Sequence, residues 1–291
     1  MSLKDSLKNV LARPEADLER IEAARREAVL DYQREVAQRE ERRRERKAAR
    51  QEQTRAERWA RGDDLPAYYD DVTRGRIARV RPRTMTAHAK LDALIEATRY
   101  VVRQRIPGEV VECGVWRGGS MQAVALTLLE LDETTRELHL FDTFEGMPPP
   151  SEDDTRTEHG ETVAAADLLA ASPRESRMWA VADLDDVRAG MAETGYPAER
   201  ICYHPGLVEE TTPGEAPETI ALLRLDTDWY ESTRHELDHL YDRLSPGGVL
   251  IIDDYRDWDG ARKAVDEWLA RTGEPLLLAP MASGRIAVKP R

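Results

Sequence analysis

Two short acidic stretches hold the residues best suited to chemistry: Leu225-Asp226-Thr227-Asp228 and Asp253-Asp254-Tyr255. Each follows an apolar run, ALLR in one case and GGVLII in the other, so each reads as a strand end opening onto the same sheet edge. In an extended chain Asp226 and Asp228 project to one side, whereas the neighbours Asp253 and Asp254 come together only once their strand has ended. Four carboxylates in one crevice repel one another unless positive charge sits among them, and an all-oxygen set suits magnesium, calcium or manganese. A metal held there lowers the pKa of a bound hydroxyl while an adjacent carboxylate takes the proton. Asp226, Asp253 and Asp254 are therefore read as metal ligands, and Asp228 and Asp226 as the catalytic pair, with Asp228 as base. The competing reading makes these acids helix caps or partners of Arg256 and Arg262.

A glycine loop, VVECGVWRGGS over residues 110–120, precedes the helix-like MQAVALTLLELDE, giving the strand, loop and helix that cradle a cofactor. In a dinucleotide fingerprint Trp116 would occupy the central glycine position, where its indole obstructs the approach to a pyrophosphate. This disfavours a dehydrogenase. S-adenosylmethionine has no phosphates and fits a loop whose Gly114, Gly118 and Gly119 still permit close contact. Glu112 at the strand end is read as a partner of the cofactor's ammonium, or else of a salt bridge. Asp142, closing the next strand LHLFD, is read as an acceptor for ribose hydroxyls, and Thr143 and Ser120 join the cofactor-binding set. Asp183 either reaches the adenine amino group or caps the helix that it begins. The reaction would be an in-line displacement at the sulfonium methyl, helped by orientation and water exclusion.

These groups need a frame that brings several strand ends together. Short apolar runs at 109–113, 137–141, 201–204, 220–225 and 249–252 alternate with amphipathic segments, the pattern of a parallel sheet covered on both faces. A helix is expected around residues 91–98, stopping near Pro107 and Gly108. Residues 279–288 are read as a closing hairpin, and the Pro-, Ser- and acid-rich 146–176 as a lid over the site. His235 and His239 lie one helical turn apart, but the six histidines show no metal-ligand spacing.

The chain has 291 residues, enough for one substantial domain and an appendage, since domains run about 100 to 200 residues. Residues 1–61 are read as a charged helical extension, 62–83 as a connector that borders the acceptor site, and 84–291 as the catalytic domain. A net charge of −13 argues against nucleic-acid binding. No run of about 18 apolar residues is present to span a bilayer. Cys113 and Cys202 sit in strand-like runs and read as reduced thiols of a cytoplasmic protein.

The segments VVECGVWRGGS, FDTFEGMPPP, LDTDWYEST and LSPGGVLIIDDY together resemble the macrocin O-methyltransferase family over about residues 84–288. The resemblance implies an α/β fold of the Rossmann-like, class I methyltransferase type, with a mostly parallel seven-stranded sheet and helices on both faces. It implies magnesium-dependent methylation of a hydroxyl, typically on a sugar of a natural product or glycan. The family's metal positions fall on Asp226, Asp253 and Asp254, and its proposed base on Asp228. Self-association as a homo-oligomer is also implied. The charged extension lies outside the family's usual pattern, and residues 68–88 and 145–156 are expected to shape the acceptor pocket. Two alternatives stand beside this reading. One is a catechol-type metal-dependent O-methyltransferase, which usually has Asn where this chain has Asp254; the other is a non-catalytic scaffold.

Overall fold

The computed structural model describes residues 43, 62, 64–158 and 160–291. The expected charged extension 1–61 lies, Arg43 apart, outside the described residues. Everything below concerns the unit Ala60–Arg291.

The chain forms helix α1 (Asp71–Val80), helix α2 (His88–Arg103), strand β1 (Glu109–Cys113), helix α3 (Gly119–Glu130) and strand β2 (Leu138–Asp142). A hairpin, β3 (Thr155–Glu158) and β4 (Glu161–Ala164), leads to α4 (Ala165–Ala170) and α5 (Leu184–Ala192). Then come β5 (Ile201–Pro205), α6 (Val208–Thr211), β6 (Ile220–Leu225), α7 (Tyr230–Leu240) and β7 (Leu244–Ile252). Helix α8 (Asp259–Thr272) and strands β8 (Ala279–Met281) and β9 (Gly284–Val288) close the chain.

Seven strands make one sheet in the order β5-β2-β1-β6-β7-β9-β8. The first five in that order run parallel, and β9 and β8 pair antiparallel at the far edge. From β1 the chain winds outward through β2 to β5, then returns to lay β6 and β7 on the other side. The order therefore reverses between β1 and β6, the place where doubly wound sheets open a crevice.

Strand alternation divides the core. Val110, Leu138, Leu140, Leu222 and Ile251 face one layer with Leu94, Val101, Val124, Leu128, Val187 and Met191 of α2, α3 and α5. Val111, Cys113, Phe141, Leu223 and Leu250 face the other with Leu237, Leu240, Val265 and Trp268 of α7 and α8. The expected Rossmann-like sheet with helices on both faces is the observed one.

Three segments differ from the sequence reading. Strand β7 begins at Leu244 instead of residue 249, because Gly247 and Gly248 pair with Lys289 in the tail beyond β9, which leaves Pro246 on an exposed position. Residues 64–83, read as a connector, hold α1, and Leu65, Tyr69, Ile77 and Val80 bury against Leu91, Ile95 and Ala123. Residues 146–176 contain the β3–β4 hairpin and α4, whose Ala165 and Leu169 pack with Trp229, Trp258 and Ala261.

One buried acid fastens that segment. Asp154 accepts from Ser151 N at 2.6 Å, Ser151 Oγ at 2.8 Å and Tyr230 N at 2.7 Å. It thus supplies the first turn of α7 with a cap from a distant part of the chain, satisfying an amide that the helix itself cannot. We predict that Asp154→Ala lowers the unfolding free energy by roughly 1–3 kcal/mol. A urea titration checks this; an unchanged midpoint would show that the tie is dispensable.

Candidate active site

The loops after β1, β6 and β7 meet at the reversal of strand order, and backbone pairing carries the ladder past the strand ends. Gly114 N donates to Phe141 O at 2.9 Å, Asp226 N to Cys113 O at 2.8 Å, and Asp253 N to Leu225 O at 2.9 Å. Gly114 has φ +83°, and a Cβ there would lie 1.9 Å from Asp226 O. The position admits no side chain.

Asp142 organises the glycine loop. Its Oδ2 accepts from Val115 N at 2.7 Å and Trp116 N at 2.9 Å, and its Oδ1 from Phe144 N at 2.7 Å. Burial raises its pKa, and the three amides work against that shift. Trp116 is held at φ +46° with its ring on the cavity wall.

The acidic cluster is built around two cations. Glu112 and Arg224 are register partners on β1 and β6, so strand pleating sets them side by side on one face. Arg224 is 3 % exposed; its Nη1 lies 2.5 Å from Glu112 Oε1 and 2.6 Å from Asp226 Oδ2, and its Nη2 lies 2.7 Å from Asp253 Oδ1. Lys90, in the first turn of α2, reaches across to Asp253 Oδ2 at 2.7 Å and Asp257 Oδ2 at 3.0 Å. One oxygen each of Asp226, Asp253 and Asp254 falls within 4.8 Å of the others.

The charge does not balance. Glu112, Asp226, Asp228, Asp253, Asp254 and Asp257 crowd Arg224 and Lys90, so full ionisation would leave four negative charges in one largely desolvated crevice. Burial, with the neighbouring acids, accordingly raises Asp226 and Asp254 well above the usual carboxylate range. Burial also pushes Glu112 up to about 7 despite Arg224, and burial with the charge of Asp226 pushes Asp228 up to about 7. Asp253 alone is lowered, because Arg224 and Lys90 outweigh its burial.

Asp228 departs from the extended conformation expected of it. Its φ is +67°, a left-handed conformation that Asp tolerates better than most residues. Strand β6 has already ended at Leu225, so strand alternation no longer governs where Asp228 points. Between the two acids, Thr227 Oγ1 donates to Glu236 Oε1 at 2.9 Å, and Glu236 is fully buried on α7.

These groups border a cavity of about 510 Å³, within the range of small-molecule sites. Gly114, Ser120, Asp142, Thr143, Asp226, Asp228, Asp253 and Asp254 all line it. Glu112, Gly118, Gly119 and Asp183 do not border it. Glu112 lies beneath the floor, paired with Arg224 but with Oε2 unpartnered. The room left by Gly118 is taken by Val187, and that left by Gly119 by Arg83 and Thr84. Asp183 caps α5 by accepting from Asp186 N at 2.8 Å. Residues 84–87 and Met147, Pro148 and Arg156 form further walls, in the two segments expected to shape an acceptor pocket.

Sequence reasoning missed Arg224, Lys90, Trp229 and Trp258. Arg224 carried a signal: it interrupts the apolar strand IALLRL, and a charge there must find partners. Neither Arg256 nor Arg262 pairs with the cluster; Arg262 bonds Asp259 at 2.7 Å. Lys90 has no local signal. Trp229 and Trp258 meet edge to face at 4.9 Å and both line the cavity.

Comparison with known proteins gives a consistent picture. The family model described as Macrocin-O-methyltransferase (TylF) matches residues 3–276, so the match reaches into the charged extension that the sequence reading had set outside the pattern. The chain is 35 % identical over 190 residues to 8-demethyl-8-(2,3-dimethoxy-alpha-L-rhamnosyl)-tetracenomycin-C 4'-O-methyltransferase of Streptomyces olivaceus, covering 65 % of this chain and 69 % of that one. It is 32 % identical to demethyldecarbamoylnovobiocin O-methyltransferase of Streptomyces niveus, covering 70 % and 74 %. Among solved structures, the O-methyltransferase NovP superposes with a TM-score of 0.63 at 30 % identity, covering 72 % of this chain and 83 % of that chain. The calicheamicin methyltransferase CalS11, at 22 % identity and a TM-score of 0.55, shares the fold.

The raised acids have a thermodynamic consequence. Glu112 binds its proton more tightly in the folded chain, at about 7 against an ordinary 4.5, so the native state holds the extra proton between those values. Stability of the chelator-treated protein is therefore predicted to fall as pH rises from about 4.5 to about 7, and Glu112→Gln to flatten that slope. Urea midpoints across the window check it; an identical slope in the variant would contradict the assignment.

Proposed function

The chain belongs to the macrocin O-methyltransferase family, and on that premise we propose that it transfers a methyl group from S-adenosylmethionine to a hydroxyl of a sugar on a natural product or glycan, assisted by magnesium or another hard divalent cation. The observation that carries this reading is the convergence of Asp226, Asp253 and Asp254 beside Asp228 on one cavity wall. The sugar acceptor is supported by the rhamnosyl group in the name of one relative and by the name of another, mycinamicin III 3''-O-methyltransferase of Micromonospora griseorubida, 33 % identical over 197 residues.

The residues present fit both groups. The cluster consists of hard oxygen donors whose negative charge exceeds that of Arg224 and Lys90, which is the environment that retains a divalent cation. Asp226, Asp253 and Asp254 would hold it. Arg224 and Lys90 already occupy one lone pair on each of three carboxylate oxygens, fixing Asp226 and Asp253 while leaving further lone pairs facing the cavity. Gly114, Trp116, Ser120, Asp142 and Thr143 would hold S-adenosylmethionine. Bound there, the cofactor supplies an electrophilic methyl and the cation acidifies the acceptor hydroxyl.

The chain's own part is positioning and proton transfer. Asp228, pushed up to about 7 by burial and the charge of Asp226 in the cation-free cluster, would receive the hydroxyl proton. Trp229, Trp258 and residues 147–148 exclude water, so residues 146–176 act as a lid. Residues 68–88 and 145–156 would set which hydroxyl reaches Asp228. Glu112 would act on the cofactor's ammonium only from beneath the floor, through its free Oε2. The reaction is assigned to the cytoplasm, with the enzyme self-associating.

Transfer of radiolabelled methyl from S-adenosylmethionine to a panel of deoxysugar glycosides tests the reading. We predict turnover that chelation abolishes and magnesium restores. Asp228→Asn is expected to lose roughly 10²- to 10⁴-fold in turnover while still binding S-adenosylmethionine. Turnover undiminished by chelation would overturn the metal's role, and an Asp228→Asn variant of full activity would overturn the base.

A further inference from the structure

Strands β2 and β5 bring together a second set of ligating atoms. In their parallel register His139 lies beside Cys202, and Phe141 beside His204, so these side chains share one face, the face whose core includes Phe141. Glu137, two residues before His139, lies on that face too. Glu137, His139 and Cys202 each offer one atom, an oxygen, a nitrogen and a sulfur, within 4.8 Å of one another.

A hydrogen-bond chain reaching Glu215 allows His139 Nε2 to be the bare nitrogen. Glu215 Oε2 lies 2.7 Å from His204 Nδ1, and His204 Nε2 lies 3.0 Å from His139 Nδ1. A carboxylate only accepts, so His204 carries a proton on Nδ1; where its Nε2 is bare it accepts from His139 Nδ1. That arrangement leaves His139 Nε2 as the unprotonated nitrogen. It is buried without a hydrogen-bond partner on a residue 6 % exposed, with Glu137 Oε2 at 3.4 Å. Arg200 engages the other oxygen, Glu137 Oε1, at 3.4 Å. Two acceptors facing each other beside a free thiol repel unless a proton or a metal cation lies between them.

We propose that Glu137, His139 and Cys202 form a second metal site, separate from the aspartate cluster and selective for a borderline-soft divalent ion of the zinc class. The mixed oxygen, nitrogen and sulfur set favours zinc over magnesium. Three protein ligands leave a fourth tetrahedral position for water, and binding releases the Cys202 thiol proton to solvent. His204 and Glu215 are the outer partners that orient the His139 ring. The ion would pin the edge strand β5 to β2, near the start of the strand that ends at Asp142.

Cobalt substitution tests the site in the full chain. After chelator treatment, cobalt is titrated in and the thiolate-to-cobalt charge-transfer absorbance is followed in the near ultraviolet. The expected result is a band saturating at a single equivalent and displaced by zinc. The band disappears in Cys202→Ser and in Glu137→Gln weakens, but persists in Asp254→Asn, which alters only the aspartate cluster. Glu215→Gln is expected to weaken zinc binding by roughly 10- to 100-fold. Circular dichroism establishes that each variant is folded. No charge-transfer band in the folded wild type, as a simple ion pair between protonated His139 and Glu137 would give, overturns the proposal. So does a band unchanged in folded Cys202→Ser.

Discussion

The structure turns on a buried arginine. Arg224 stands where the sheet reverses its strand order, and its guanidinium ties Glu112 of β1 to Asp226 after β6 and Asp253 after β7. Three adjacent strand ends are thereby locked by one group whose planar fork suits several carboxylates at once. Removing one partner of such a set leaves an uncompensated buried charge, typically about 3–5 kcal/mol. Lys90 adds α2 to the same arrangement. The helix that walls the cavity is thus positioned by the charges that the cavity presents.

The arrangement explains why the cluster is both rigid and short of positive charge. Arg224 and Lys90 fix Asp226 and Asp253, yet of the acids they crowd only Asp253 is lowered, while burial and the repulsion of neighbouring acids raise Asp226, Asp228 and Asp254. A cation entering from the cavity would relieve that repulsion and draw those pKa values back down. Strain adds to the picture, since Trp116 and Asp228 both take left-handed backbone conformations. Such residues collect at functional sites because the surrounding bonds over-determine them; here Asp142 holds the Trp116 amide, and Glu236 holds Thr227 beside Asp228.

Much of the frame was legible in the sequence. The runs at 109–113 and 220–225 became strands with those bounds, since short, mostly apolar runs between turn residues describe strands buried on both faces; the buried charges they carry, Glu112 and Arg224, pair with each other. The acidic pairs after β6 and β7 announced a shared crevice for the same reason. What local pattern could not reveal was which distant residues answer their charge. Lys90 comes to Asp253 from 163 positions away, and Asp154 caps a helix 76 positions on. Glycines were legible as necessary, and the structure adds a packing reason that local pattern did not reveal: Gly118 takes φ +79° beside Val187, and Gly119 leaves room for the Arg83 backbone and Thr84 Cβ.

The central claim is that the aspartate cluster is a cation site left incomplete by Arg224 and Lys90. Calorimetric titration of magnesium into the chelator-treated chain, in buffers of differing ionisation enthalpy, tests it most directly. The account predicts saturable binding that releases protons from the raised acids and is lost in Asp254→Asn. Absence of saturable heat in the wild-type chain, or binding unaltered by Asp254→Asn, would contradict it.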